Sequence, residues 1–182
     1  MPFIGNQPTS VPLTSSDIQD GTIQTADIAD GAVTSVKTTG VGGANTPTVS
    51  AYSASNQTVA NVTWTQITFG TEEVDSDNAF ASSTFTVPSG KDGKYLIISM
   101  VKLGYENNTA QKLSIYKNDS SYVEWSNFRN DSTMDATQTI SAIISLAATD
   151  TIKIYNWQGT GGNETISAGT KSTRIDITRL IT

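Results

Sequence analysis

From Leu13 to Val33 an apolar residue returns at every fifth position: Leu13, Ile18, Ile23, Ile28 and Val33. The residues between them are almost all polar, and Asp20-Gly21 and Asp30-Gly31 punctuate alternate units. An α-helix turns about 100° per residue, so a spacing of five scatters these side chains around the axis instead of forming a stripe. A flat strand does no better, because an odd spacing sends successive members to opposite faces. What remains is a repeated extended-plus-turn unit. Ser16-Asp17-Ile18-Gln19-Asp20-Gly21-Thr22-Ile23 recurs ten residues later as Ala26-Asp27-Ile28-Ala29-Asp30-Gly31-Ala32-Val33. Ordering each backbone residue costs about 1–2 kcal/mol, and a lone copy has nothing to bury its five aliphatic side chains against. The tract therefore needs partners: further copies of itself, or the surface of another protein.

Composition narrows what the rest can be. Hydrophobic residues make up 36% of the 182 and charged ones only 15%, and the shortfall is filled by Thr, Ser, Asn, Gln and Gly, a mixture that suits β-rich surface proteins. A net charge of −6 argues against nucleic-acid binding, which needs a basic footprint. With no cysteine, disulfides, thiolate metal sites and thiol nucleophiles are excluded. With no histidine, the commonest general base, metal ligand and physiological pH switch go together. The start, Met1-Pro2-Phe3-Ile4-Gly5-Asn6, has neither the basic region nor the apolar run of a signal peptide. No stretch approaches the roughly twenty apolar residues of a membrane span. A protein made in a cytosol, with no membrane and no nucleic-acid partner, is expected.

Pro2, Pro8 and Pro12 keep residues 1–12 extended, with Phe3 and Ile4 as candidate plugs for attachment to a partner. After the pentad tract, Thr38-Thr39-Gly40-Val41-Gly42-Gly43-Ala44-Asn45-Thr46-Pro47 reads as a linker. The division expected is an attachment arm over residues 1–44 and a folded knob over 45–182. In the knob, Val59 to Phe69, Phe80 to Val87, and Tyr95 to Leu103 read as strands, the last apolar on both faces for part of its length, as a central strand would be. Glu72 to Asn78 reads as an acidic loop. Lys117-Asn118-Asp119-Ser120 reads as a hairpin turn between Leu113–Tyr116 and Ser121–Trp125. Ile140, Ala142, Ile144 and Leu146 form one apolar face, and Ile152 to Tyr155 and Arg174 to Ile181 close the set. No segment keeps a helical period. An all-β sandwich of about eight to ten strands is expected.

Phe85-Thr86-Val87-Pro88-Ser89-Gly90 followed by Gly93-Lys94-Tyr95-Leu96-Ile97 resembles the run that leads into a central strand of the tumour necrosis factor-like jelly roll, as in the globular head of complement C1q. Lys91-Asp92 lengthens the turn, and Ile97 stands where an aromatic is usual. Leu113-Ser114-Ile115-Tyr116-Lys117-Asn118 and Ile143 to Ile154, with Thr149-Asp150-Thr151-Ile152, resemble two further segments of that family. The resemblance implies an all-β jelly-roll sandwich of the TNF/C1q-like type that forms threefold homotrimers. The amino end, Met-Pro-Phe-Ile-Gly-Asn-Gln-Pro followed by Asp-Ile-x-Asp-Gly-x-Ile/Val repeats, is similar to the start of many bacteriophage tail-fibre, head-fibre and capsid-decoration proteins. That resemblance implies a place on the virion surface, reached by assembly in the host cytoplasm.

Candidate sites are few. Glu72, Glu73, Asp75 and Asp77 place carboxylates at near-alternate positions, a pattern that suits Ca²⁺. They lack the spacing and glycine of an EF-hand, so a solvated loop is expected. Nothing fixes two carboxylates across a cleft, as glycosidase chemistry needs, and Gly159–Gly162 precedes no helix that could cradle a phosphate. No enzyme activity, catalytic residue, cofactor or metal is expected. Tyr122, Trp125 and Phe128, interleaved with Glu124, Asn127 and Arg129, are candidate contacts for a host-surface polysaccharide, weighed against packing between sheets or at a trimer axis. The reading that unites these features is a homotrimeric capsid decoration, cement or short head-fibre protein. Its arm would attach to a phage major capsid protein or another virion protein, with Leu13, Ile18, Ile23, Ile28 and Val33 packing the arms together. The alternative is a tail-fibre or spike module whose knob binds a host-surface glycan.

Overall fold

The computed structural model describes residues 18–19, 21–29, 45–104, 109–129 and 136–180, with Thr14 and Ala32; the side chains of 109, 127–129 and 136 lie outside that description. The chain divides into two units, Met1–Gly42 and Gly43–Thr182.

In the first unit the described residues form a string of turns. The Thr22 N–H donates to the Gln19 carbonyl at 3.1 Å, the Asp27 N–H to Gln24 at 2.9 Å, and the Ala32 N–H to Ala29 at 2.9 Å. Acceptors and donors each advance by five, so every four-residue turn fits between two members of the apolar series. The pentad is one turn plus one apolar residue. Gly21 takes a φ of +79°, which a glycine adopts without steric cost, and the Asp27 carboxylate accepts the Gln24 N–H at 2.9 Å across a 3-10 turn, Thr25–Asp27.

In the second unit thirteen strands are described: β1 (Thr48–Tyr52), β2 (Gln57–Val59), β3 (Thr65–Gln66), β4 (Thr71–Asp75), β5 (Phe80–Ala81), β6 (Thr84–Thr86), β7 (Gly93–Leu103), β8 (Thr109–Lys117), β9 (Ser120–Arg129), β10 (Ala136–Leu146), β11 (Thr151–Gln158), β12 (Glu164–Ile166) and β13 (Arg174–Leu180). Sheet A runs β4-β1-β13-β7-β10, and β12 and β2 continue it where Ile166 meets Leu103 at the end of β7. Sheet B runs β5-β6-β11-β8-β9, with β3 also on β11. From β7 onward the chain alternates between sheets: β8 and β9 lie in B, β10 in A, β11 in B, β12 and β13 in A. This is a jelly-roll sandwich.

The core lies between the sheets and follows the period of two. Tyr95, Ile97, Val101 and Leu103 of β7 are fully buried, as are Leu113 and Ile115 of β8, Ile152 and Ile154 of β11, and Ile175 of β13. Phe85 and Tyr95, the two aromatics of the sequence signature, meet as tilted rings 5.5 Å apart. The Tyr95 hydroxyl donates to the Lys91 carbonyl, and burial pushes its pKa up to about 12. At one end polar side chains replace aliphatics. The Gln138 amide of sheet A donates to Gln111 at 2.9 Å and accepts from Asn156 at 2.9 Å, both in sheet B.

Three strand expectations are corrected. Val59 to Phe69 is two short strands, because Val62 turns to a φ of +53° between them. Phe80 to Val87 folds into the β5–β6 hairpin: Ser82 and Ser83 both take positive φ, as a tight turn requires, and the buried Ser83 hydroxyl accepts the Phe69 N–H at 2.9 Å. Glu72 to Asn78 is a loop only in its second part: Glu72 to Asp75 belong to β4, paired with β1, and Ser76 to Asn78 form the bend that follows. The hairpin expected at Lys117–Ser120 is present, with Asn118 and Asp119 at positive φ.

That hairpin is tied to the β10–β11 turn by Asp150. Its carboxylate accepts the Asn118 side-chain N–H at 2.7 Å and the Ala147 N–H at 2.8 Å, and it pairs with Lys117 Nζ at 2.9 Å. Asn118 completes the loop by accepting the Thr151 N–H at 2.8 Å. The Asn118 bond first, then the Ala147 N–H and Lys117, hold the Asp150 carboxyl down at about 2. A depressed folded pKa stabilises above the unfolded value and loses that contribution as pH falls through the folded one. Asp150→Asn should therefore lower stability at pH 7 by about 1–2 kcal/mol. In chemical denaturation at stepped pH, that difference from the parent chain should shrink as pH falls from about 4 toward about 2.

Candidate functional site

A central strand covered on one face should show apolar residues on that face alone. β7 breaks this rule. Its outward positions are Lys94, Leu96, Ile98, Met100 and Lys102, and Ile98 is 37% exposed. On β10, Ile143 stands opposite Leu96 in the ladder and is 63% exposed. At the far edge Val74 of β4, opposite Ser50, is exposed on the same side. Aliphatic side chains thus gather on the outward face over β7 and β10, while Ser50 of β1 and Asp176 of β13 separate Val74 from them. Apolar side chains gathered on an exposed sheet face mark a candidate interaction site.

Polar groups bound the patch. Arg174 of β13 makes a two-pronged pair with Asp176, at 2.9 and 2.7 Å. It also donates to the Ser50 hydroxyl at 2.8 Å and reaches Glu73 at 3.5 Å. Beside this network, Thr48, Ser50, Leu96, Ile98, Asp176 and Thr178 line a shallow depression of about 110 Å³.

In the arm unit Ile18, Ile23 and Ile28 are 45%, 55% and 42% exposed, each flanking a turn. Phe3, Ile4, Leu13 and Val33 lie outside the described residues.

The aromatic trio is dispersed. Trp125 stands opposite Leu113 and packs against the core. The ladder shifts register beside Tyr122, which is 57% exposed with Lys117 Nζ 5.8 Å from its ring centre. The Phe128 side chain lies outside the described set. The acidic residues are engaged locally. Both oxygens of Asp75 accept backbone N–H groups, from Ala79 at 2.8 Å and Phe80 at 2.9 Å. Asp77 pairs with Lys91 at 3.2 Å, and the Ser76 hydroxyl, with Lys91 behind it, lowers its pKa. Among the described residues no three acidic side chains converge as a metal site.

Sequence reading missed a second aromatic set. Trp64, Tyr116, Tyr155 and Trp157 share the outward side of sheet B, three of them linked by ring contacts. The signal was present in Lys153-Ile154-Tyr155-Asn156-Trp157, where every second residue faces outward.

Comparison with known proteins places the fold. No protein-family model and no curated protein matches the chain. Among solved structures, the Eiger TNF of S. frugiperda matches with a TM-score of 0.57 and 13% identity, over 73% of this chain and 91% of that one. Murine APRIL matches with a TM-score of 0.54 and 12% identity, over 73% of this chain and 98% of that one. The globular domain of zebrafish complement 1qA matches with a TM-score of 0.51 and 14% identity, over 74% of this chain and 97% of that one. The fold is a jelly-roll sandwich of the TNF/C1q-like type.

Proposed function

We propose that the chain is a homotrimeric structural protein of a phage particle, a capsid decoration, cement or short head-fibre protein whose arm anchors it and whose knob is displayed. The observation that carries this reading is the arm: Ile18, Ile23 and Ile28 each remain 42–55% exposed at a five-residue step. Such a repeat gains order only from neighbours. Three arms held side by side give those neighbours, and a capsid surface under residues 1–12 gives the anchor. Once one arm is bound, the others attach at high effective concentration without any new kind of contact.

Two further features support the assembly. The TNF/C1q-like resemblance implies threefold symmetry, and a head-to-tail contact that closes on itself is how cyclic assemblies form. The outward face of sheet A supplies the apolar area such a contact needs, each buried Ile being worth roughly 1.5–3 kcal/mol. The virion setting rests on the similarity of the amino end to phage fibre and decoration proteins. No enzymatic step belongs to this reading.

Analytical ultracentrifugation of the full chain should give three times the chain mass. Ile98→Glu combined with Ile143→Glu should give monomers whose circular dichroism remains that of a β-protein. A parent chain that sediments as a monomer would sink the trimer. In the full chain, Ile18→Asp, Ile23→Asp and Ile28→Asp together should abolish co-sedimentation with purified particles and shift the main melting transition by less than about 2 °C. Full particle binding by that variant would show that attachment lies elsewhere.

A further inference from the structure

We infer that the outward face of sheet B is a binding strip for an uncharged saccharide chain, a role that goes beyond the assembly proposed above and stands without it. Four rings define the strip. Tyr116 and Tyr155, on neighbouring strands, stack 4.1 Å apart with their planes 30° from parallel. Trp64, just before β3, meets Tyr116 edge-on at 6.0 Å. Trp157, opposite Lys112 in the ladder, has Lys112 Nζ 5.5 Å from its ring centre.

The rings are packed on one another and over the sheet. Ser114 points outward between Tyr155 on one side and Glu124 on the other, yet it is fully buried. Only side chains folded over it can shield it. Its hydroxyl is engaged with the Val123 carbonyl at 2.9 Å and Ser121 Oγ at 2.8 Å. Rings held by their neighbours keep their places before a ligand arrives, which removes part of the ordering cost of binding.

Charge selects the occupant. Lys112 pairs with Glu124 at 3.1 Å, and Lys153 pairs with Asp119. The two cations are thus balanced by two carboxylates, and the strip offers no excess positive charge to a phosphate, sulfate or uronate polymer. A sugar ring has an apolar C–H face suited to a flat aromatic and hydroxyls around its rim that both donate and accept. An ammonium and a carboxylate side by side meet both needs. Tyr116 and Lys112 are four residues apart on β8, so the strip runs about 13 Å, the length of a short oligosaccharide more than of one sugar. The aliphatic groups that would seal a protein contact are concentrated instead on the outward face of sheet A.

The test places the full-length chain on an array of neutral oligosaccharides with sialylated, sulfated and uronate chains beside them, followed by tryptophan-fluorescence titration of the hits. The expected result is saturable binding of a neutral oligosaccharide that survives 0.5 M salt. Trp157→Ala and Tyr155→Ala should each weaken it at least tenfold, and Ile143→Ser, on the other sheet, should leave it unchanged. Trp64→Ala lies outside the strands and should cost several-fold in affinity with the melting temperature retained, so the idea survives a strand variant that fails to fold. Absence of any neutral ligand on the array, binding of anionic chains only, or binding indifferent to all three ring substitutions would overturn the inference. Oligomeric state measured on the same samples separates this result from the fate of the trimer.

Discussion

Most of the knob hangs on one strand that is apolar on both faces. β7 is paired along its whole length by β10 on one edge, and by β13 and then β12 on the other. Its inward residues, Tyr95, Ile97, Val101 and Leu103, form the middle of the core, and β8, β11 and β13 take their places against them. Its outward apolar residues, Leu96, Ile98 and Met100, lie outside that core, with Ile98 exposed. A period of two leaves no compromise: an apolar run in mid-sheet must show half its side chains to whatever lies outside. The same constraint that builds the core therefore builds the surface patch.

Polar interactions fix what the apolar core leaves degenerate. Aliphatic layers tolerate sliding, whereas a hydrogen bond between sheets does not. Gln138 reaches from sheet A to Gln111 and Asn156 in sheet B and pins the two layers at one end. The Gln111 Nε2 and Asn156 Oδ1 atoms are buried without a protein partner, so this pin costs desolvation in exchange for register. At the opposite end of those strands Asp150 binds two turns through Asn118, Ala147 and Lys117. One turn joins two strands of sheet B and the other crosses from sheet A to sheet B, so one carboxylate ties the hairpin to the crossing.

Much of this was legible in the sequence, and the reason is local chemistry. The β8–β9 turn announced itself because Asn118-Asp119 suits the positive φ a tight hairpin needs. The Phe85…Tyr95 signature and the two-faced β7 identified the central strand. The five-residue step of the arm foretold a turn in every unit, and the Gln19–Thr22, Gln24–Asp27 and Ala29–Ala32 turns follow that step. What escaped were features decided by distant partners. Val59 to Phe69 has good β-formers throughout, and its break at Val62 is held by partners far along the chain, the Asn61–Gln158 bridge and the Gly161 N–H on Asn61 among them. The carboxylates of Glu72 and Glu73 read as a loop because pairing with β1 is invisible locally. The trio Tyr122, Trp125 and Phe128 looked like a unit by spacing, but a register shift beside Tyr122 and the inward turn of Trp125 separate two of its members.

The two outward faces differ in kind, and that difference argues for two roles. Leu96, Ile98, Met100 and Ile143 are flexible aliphatics whose only gain is exclusion of water, which any close-fitting apolar surface supplies. Such a face is satisfied by a permanent contact and is a liability without one. Tyr116, Tyr155 and Trp157 are rigid and flanked by balanced ion pairs, so their face is stable when exposed to water. A face that is content alone can serve a ligand that comes and goes. In the proposed assembly sheet A is therefore the side that takes the permanent partner, and sheet B the side left for the proposed ligand.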